Sequence, residues 1–132
     1  NSLNGCPFAI DETGDGNHLD ATLQKLISWP QTDQLVLLAR ETANQLYSHL
    51  PPDEREKKIK SELEDLHSRV EREGNTRVEL AQHEKEANEK KDSVGVTKFS
   101  LLISECDART QALALLTMHY FTALQLLTHH KK

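Results

Sequence analysis

The stretch QALALLTMHYFTALQLLTHH, residues 111–130, contains no Asp, Glu, Lys or Arg. A helix of this sequence needs apolar partners along much of its surface, so it must bury itself among other helices. Residues 53–92 are by contrast dense in charge, which suits a helix that lies largely in water. The contrast predicts an all-α fold in which a helical bundle continues into a coiled coil.

A membrane span is the alternative interpretation of residues 111–130, because their length fits a hydrocarbon core of about 30 Å. Polar side chains are nevertheless spread around this helix: Gln111, Thr117, His119, Tyr120, Thr122 and Gln125. We therefore expect a buried bundle helix and no membrane span.

The composition favours one intracellular unit. The chain has 132 residues and 36% apolar content, enough for a core, and its net charge of −5 lacks the basic face that nucleic acid requires. Cys6 and Cys106 show no metal-ligand spacing, which makes a reduced, cytoplasmic chain the default expectation. Because the chain begins at Asn1 and Met118 is its sole methionine, we expect it to be part of a longer or processed protein.

The first 17 residues have the composition of a flexible tail, with three of the five glycines and several acids. We therefore predict a tail over 1–17 and a single helical unit over 18–132. The one apolar cluster of the tail, PFAI, contains Phe8 and Ile10. It either docks on a partner as a short motif or packs back onto the bundle.

Two short helices follow the tail. Apolar residues at helical spacing predict a first helix from a cap at Asn17 to Trp29–Pro30. Thr32 or Asp33 is a suitable cap for the second, which we expect to end at Pro51–Pro52 because proline cannot continue a helix. The pair predicts a short helical hairpin that packs on a longer one.

Residues 53–92 predict a long exposed helix, sustained by acid–base pairs four residues apart, such as Glu56/Lys60 and Glu73/Arg77. Apolar residues recur at coiled-coil spacing from Ile59 to Val70, and the pattern weakens near Glu73 and Arg77. We expect the helix to continue through Gly74 at a local cost of ~1 kcal/mol.

A chain reversal is predicted at Ser93–Val96, where Gly95 supplies conformational freedom. The last helix then runs back along the third and places residues 113–127 opposite residues 62–76. Each arm would extend about 50–60 Å. The expected architecture is a four-helix bundle at the open end that extends into a two-helix coiled-coil stalk.

No residue pattern indicates catalysis, a cofactor or a metal. The seven histidines include no His-Glu-x-x-His pair, and no Cys-x-x-Cys is present. Glu105 and Asp107 flank Cys106 and would raise the pKa of its thiol, which disfavours a nucleophile. His119 is expected in the core, with an interface as the alternative. We therefore predict a protein that is not an enzyme.

Three short runs are similar, in order and approximate spacing, to a known coiled-coil region. They are LYSH at 46–49, LHSRV at 66–70 and QALALL at 111–116. Over about residues 46–127 the chain resembles the family that contains the colorectal-mutant-cancer protein and the harmonin-binding protein of Usher syndrome. The resemblance implies an intracellular scaffold that engages PDZ-domain proteins and membrane-associated cytoskeletal complexes. Residues 129–132 differ from that family's C-terminal PDZ ligand, so no binding residues carry over.

Three functions are compatible with these patterns. The first is an adaptor that binds a protein through helix packing, with these candidate partner-binding residues: Phe8, Ile10, Val70, Leu80, Ala87, Phe99 and Leu102. The second is a homodimer of the cytoskeletal or kinetochore-rod type, in which another copy completes the seam near Glu73 and Arg77. The third is a secreted four-helix signalling bundle with a disulfide between Cys6 and Cys106.

Overall fold

The computed structural model describes residues 7–8, 18–29 and 32–130, and these form four α-helices. The helices are α1 (His18–Ser28), α2 (Thr32–Ala43), α3 (Pro52–Glu89) and α4 (Ser93–His130). The long helices α3 and α4 pack against each other as a hairpin, while α1 and α2 both pack on α4. The predicted all-α bundle with a two-helix stalk is confirmed.

The second half of α4 lies at the centre of the bundle. Leu113, Leu116 and Tyr120 are almost completely buried there, together with Leu35 from α2 and Leu66 from α3. Burial of each such side chain contributes about 2–3 kcal/mol. Because α1, α2 and α3 all contact this helix, a charged side chain at one of these buried positions would lose its hydration and be costly.

The second helix is shorter than predicted, because α2 ends at Ala43 and not at Pro51–Pro52. Residues 44–50 form consecutive turns whose N–H groups donate to carbonyl oxygens three residues earlier, as Ser48 does to Gln45 at 3.1 Å. Tyr47 takes a left-handed conformation with φ of 54°. These turns redirect the chain before the proline pair is reached.

A side chain from the next helix ends α2. The guanidinium of Arg55, in the first turns of α3, donates to the carbonyl oxygens of Leu46 at 2.6 Å, Asn44 at 2.9 Å and Ala43 at 3.3 Å. Ala43 O also accepts from Leu46 N–H at 3.3 Å, so the guanidinium adds bonds to the last carbonyl of α2 and to carbonyls of the turns that follow it. Arg55 therefore caps α2 and fixes the angle at which α3 leaves it.

α3 runs without a break through Gly74, as predicted, but the chain reverses at 90–92 and not at Ser93–Val96. Asp92 N–H donates to Ala87 O at 2.9 Å and Lys91 N–H donates to Asn88 O at 3.1 Å. This pattern is a Schellman motif, with Lys91 at φ of 58° in the position that glycine usually occupies.

Gly95 serves close packing in the first turn of α4. Its N–H donates to Asp92 Oδ1 at 3.0 Å, which makes Asp92 the N-terminal cap of α4. A Cβ at position 95 would lie 2.5 Å from Asp92 Oδ2 and 3.2 Å from Ala87 Cβ. Glycine is thus needed here for space and not for the reversal itself.

The earlier reversal changes the pairing of the two long helices. Tyr120 lies against Glu62, about two helical turns from the partner that the predicted reversal would give it. Nearer the tip, the ring of His83 stacks on Phe99 with centroids 5.4 Å apart. The apolar half of α4 therefore faces the first part of α3, around Ile59 and Leu66.

Polar contacts fill the weak centre of the predicted seam. Glu73 Oε2 accepts a hydrogen bond from Arg109 Nε at 3.0 Å, and Arg77 Nε donates to Asp107 Oδ1 at 2.7 Å. The predicted pair Glu73/Arg77 is thus replaced by two pairs across the stalk, whereas Glu56/Lys60 forms as expected at 2.9 Å. Side chains of the chain itself fill the seam that a second copy was expected to complete.

Candidate protein-interaction surface

Apolar side chains recur every seven residues along the outer side of α4, at Val94, Leu101, Ala108 and Leu115. Seven residues make about two helical turns, so these four positions form one line along the helix, which we call the outer stripe. Leu115 is 8% exposed, whereas Leu101 is 61% and Val94 79% exposed. One stripe is thus buried at one end and bare at the other.

α1 and the start of α2 cover the buried end of the outer stripe. Leu26, Ile27 and Trp29 line a cavity of about 60 Å³ together with Ala108 and Leu115. Ala108 is half-buried at the edge of this contact. The part of the outer stripe that α1 and α2 cover therefore ends close to Ala108. Leu101 lies two helical turns from Ala108 in the direction of the tip.

An ion pair holds α1 on the flank of α3. Arg69 donates from Nη1 to Asp20 Oδ1 at 2.5 Å and from Nε to Asp65 Oδ2 at 3.0 Å. Position 83 lies fourteen residues further along the same side of α3, and His83 there stacks on Phe99. The side of the hairpin that α1 occupies in the bundle is therefore continuous with the side that carries His83 in the stalk.

We call the bare continuation of this side the stalk face. It consists of Val94, Leu101 and the half-buried Leu102 on α4, flanked by the exposed Glu79 and by His83 on α3. The stalk face combines apolar side chains with an acidic flank, a combination suited to contact with another helix.

The predicted partner-binding residues of the stalk mostly hold its two helices together. Ala87 is 7% exposed beneath Gly95, and Val70 packs against the bundle core. Leu80, Phe99 and Leu102 are half-buried in or beside the seam. Of this set, Leu102 belongs to the stalk face, and Phe99 contacts it through its stacking on His83.

Phe8, from the apolar cluster of the tail, packs against the helical bundle of the same chain. Phe8 is 2% exposed and its ring centroid lies 4.7 Å from that of His119, while Pro7 is also fully buried. Of the two alternatives for this cluster, Phe8 therefore follows the one in which it packs back onto the bundle. Ile10 lies outside the described residues.

Sequence reasoning missed Val94 and Leu101, the two most exposed large hydrophobic residues in the described part of α4. It sought binding residues at the seam positions of the coiled coil, which the hairpin itself covers. Val94 and Leu101 can be recognised because apolar side chains recur at every seventh position outside that seam. In a two-helix stalk without a partner, such positions face water and are expected to be polar.

A buried hydrogen-bonded joint of Tyr47, Glu62 and Tyr120 lies within the bundle. The Tyr47 hydroxyl donates to the Glu62 carboxylate, with O···O distances of 2.7 and 2.8 Å, and Tyr120 shares the same carboxylate. Lys58 Nζ lies 3.6 Å from Glu62 Oε1 and 5.4 Å from the centroid of the Tyr47 ring. Burial and the Glu62 charge raise the pKa of Tyr120, so its phenol stays neutral and donates. The joint is a structural clamp between the turns after α2, α3 and α4.

His119 is a core residue, as expected. Its Nδ1 lies 3.0 Å from Ala39 O, and since a carbonyl only accepts, this nitrogen carries the proton. Thr42 Oγ1 lies 3.5 Å from the same nitrogen. Within the described part of the chain, His119 Nε2 is buried without a hydrogen-bond partner. Burial lowers the pKa of His119 to about 4, so the ring is neutral at physiological pH.

Cys106 is a free, buried thiol in an acidic setting. Its Sγ donates to Glu73 Oε1 at 3.1 Å and lies 3.2 Å from Glu73 O. Burial, then the Glu73 carboxylate, raises the pKa of the Cys106 thiol, which opposes the thiolate that a nucleophile or metal ligand needs. The proposed disulfide partner Cys6 lies outside the described residues.

Searches of the described helices give no metal or membrane site. Across residues 18–29 and 32–130, no three His, Cys, Asp or Glu side chains gather as a ligand set. Among the four helices as described, none is both long and apolar enough to cross a membrane. Comparisons with protein-family models, curated proteins and solved structures give no match to this chain.

Proposed function

We propose that this chain is a non-enzymatic scaffold or adaptor that binds another protein through the stalk face. The observation that carries the proposal is the outer stripe of α4, which α1 and α2 bury in the bundle and which is bare at Leu101 and Val94. Exposed apolar side chains that continue a packed face are typical of helix-binding surfaces.

The stalk is built to present this face rigidly. The polar pairs Glu73–Arg109 and Arg77–Asp107 cross between its two helices, and the Schellman motif at Lys91 closes its tip. A partner therefore meets a preformed surface and pays little entropy to order it. Rigid presentation of a binding surface away from a bundle is a property expected of an adaptor.

We place the protein inside the cell, in keeping with the free thiol of Cys106. Cytoskeletal proteins or PDZ-containing scaffolds are the partners that the resemblance over residues 46–127 implies. A homodimer is the second candidate, and it would have to use a surface other than the seam at Glu73 and Arg77, which is filled within the chain.

The test compares proteins captured by the full chain and by two matched variants. Leu101→Gln removes the apolar side chain at the middle of the stalk face, and Val78→Gln changes an exposed valine on α3 outside it. Both variants should melt like the parent chain. We expect Leu101→Gln to lose specific partners that Val78→Gln retains, as measured by quantitative mass spectrometry. If both variants capture the same proteins as the parent, binding through the stalk face is excluded.

A further inference from the structure

The stalk face continues the track on which α1 lies, and this continuity indicates what fits it. We propose that it binds an amphipathic helix of a partner protein that lies end to end with α1 and carries basic residues along one flank. From Val94 to Ala108 the bare track is about 21 Å long, which accommodates about 14 helical residues. The inference rests on the proposed function and names the kind of partner.

α1 shows how a helix binds this side of the hairpin. Its apolar face, with Leu19, Leu23 and Leu26, is buried in the core, so α1 supplies the side chains that cover the outer stripe. Its flank supplies Asp20, which pairs with Arg69 on α3. The same side of the hairpin thus uses an apolar line on α4 and a charged flank on α3.

The charge of that flank reverses between the bundle and the stalk. His83 takes the position in the stalk that Arg69 has in the bundle. The exposed Glu79 and Glu86 flank His83, where Asp65 and Arg72 flank Arg69, so one acid and two bases give way to two acids and a histidine. Glu86 accepts a hydrogen bond from Gln82 at 3.2 Å and is exposed to solvent. Arg72 and Lys90 lie beyond the two ends of this acidic interval. A helix on the stalk therefore gains from basic side chains where α1 has Asp20.

The α4 side of the stalk face carries one acid and one base. Glu105 is exposed, and Lys98, the base between Val94 and Leu101, holds its Nζ 5.6 Å from the centroid of the Phe99 ring. Two copies that met through this face would each contribute the acids Glu79, Glu86 and Glu105 against the one base Lys98, and the chain already carries a net charge of −5. Charge thus favours a basic partner helix over a second copy.

The test uses two synthetic helical peptides of 14 residues as probes. Both carry leucines at positions 1, 4, 8 and 11, and one carries lysines on a flank where the other carries glutamates. Binding to the full chain is measured by fluorescence anisotropy at low and high salt. We expect the lysine peptide to bind more tightly, and we expect this preference to shrink as salt screens the charges.

Variants then locate the site. Leu101→Gln should weaken binding of the lysine peptide about tenfold, because it removes about 1.4 kcal/mol of apolar contact. Val78→Gln should leave the affinity within about twofold, since surface changes outside a contact have small effects. The double variant Glu79→Lys/Glu86→Lys should reverse the preference, so that the glutamate peptide binds more tightly.

Three results would overturn the inference: equal binding of the two peptides, binding that Leu101→Gln does not change, or a concentration-dependent dimer that Leu101→Gln disperses in light scattering. The last result would assign the stalk face to a second copy. If Leu101→Gln loses cellular partners while the peptides bind equally, the proposed function stands and the basic partner helix is excluded. If the peptides behave as expected but partner capture is unchanged, the surface chemistry stands and the proposed function fails.

Discussion

The two ends of α4 carry the same outer stripe in different surroundings. At the bundle end, Leu115 is covered by α1 and α2, whereas Leu101 and Val94 face water at the stalk end. The seam between α3 and α4 also changes, from apolar contacts around Leu66 to the polar contacts of Glu73 and Cys106. The same residue type at the same helical position thus serves stability at one end and, we propose, binding at the other.

The sharpest test of this comparison is a matched pair of truncations. We expect Leu115→Ala to lower the free energy of unfolding by about 3 kcal/mol, because it removes packed methyl groups and leaves a cavity. Leu101→Ala should change it by less than about 0.5 kcal/mol, because the side chain is exposed. Urea unfolding followed by circular dichroism measures both. Equal losses would show that the stalk end is as well packed as the bundle.

Acid should act on the bundle end through His119. The pKa of His119 is about 4 in the folded chain, below its ordinary value near 6.5, so the unfolded chain takes up the proton first as the pH falls. Stability from this group is complete above pH 6.5 and declines toward pH 4, and the loss should reach about 2 kcal/mol at pH 5.

The measurement is urea unfolding at several pH values for the parent chain, for His119→Gln and for His67→Gln. His67 is an exposed histidine on α3, 3.2 Å from Glu71, and serves as the control. We expect His119→Gln to flatten the decline between pH 6.5 and 5 and His67→Gln to retain it. A decline that persists unchanged in His119→Gln would mean that other groups cause it.

The buried joint should show a smaller effect. Tyr47→Phe removes the hydroxyl that donates to Glu62 and leaves this carboxylate with one partner fewer. We expect a loss of about 1.5 kcal/mol, the usual value for a hydrogen bond to a charged group. Glu71→Gln, at an exposed carboxylate of the same helix, should lose less than about 0.5 kcal/mol. A Tyr47→Phe variant as stable as the parent would show that the hydrogen bond from Tyr47 to Glu62 does not stabilise the fold.

The smallest expected effect lies in the stalk. Gly74 is exposed in the middle of α3, and a Cβ there would meet no atom within 4 Å. Gly74→Ala should therefore stabilise the protein by about 0.5–1 kcal/mol, because alanine favours the helix. Gly95→Ala should give no such gain, since its Cβ would displace the Asp92 cap. Thermal melting compares the two, and a gain at Gly95 would contradict the role given to its packing.

The parts of the fold that sequence could predict depend on interactions within one helix. The spacing from Ile59 to Val70 and the absence of charge in residues 111–130 determine the long hairpin and its buried end. Continuity through Gly74 follows for the same reason, because the helix on either side outweighs one unfavourable residue.

The parts that could not be predicted depend on residues distant in sequence or on uncommon choices. α2 ends early because Arg55, from the next helix, caps it, and no pattern within α2 records this. The reversal uses Lys91 in a conformation that usually selects glycine, while the nearby glycine serves packing. The stalk face is not evident from the coiled-coil pattern, because its exposed residues Val94 and Leu101 lie outside the seam that this pattern marks.

The central position of α4 also sets an order in time. α1 and α2 bury their apolar faces on the second half of α4. α2 is also hydrogen-bonded to it, because Ala39 O accepts from His119 Nδ1. A ribosome that adds about 5–20 residues per second needs roughly 4–14 s to pass from Ala43 to Leu113. During that interval Leu23 and Leu35 have no helix to cover them, so the nascent chain is exposed to aggregation until its last helix is made.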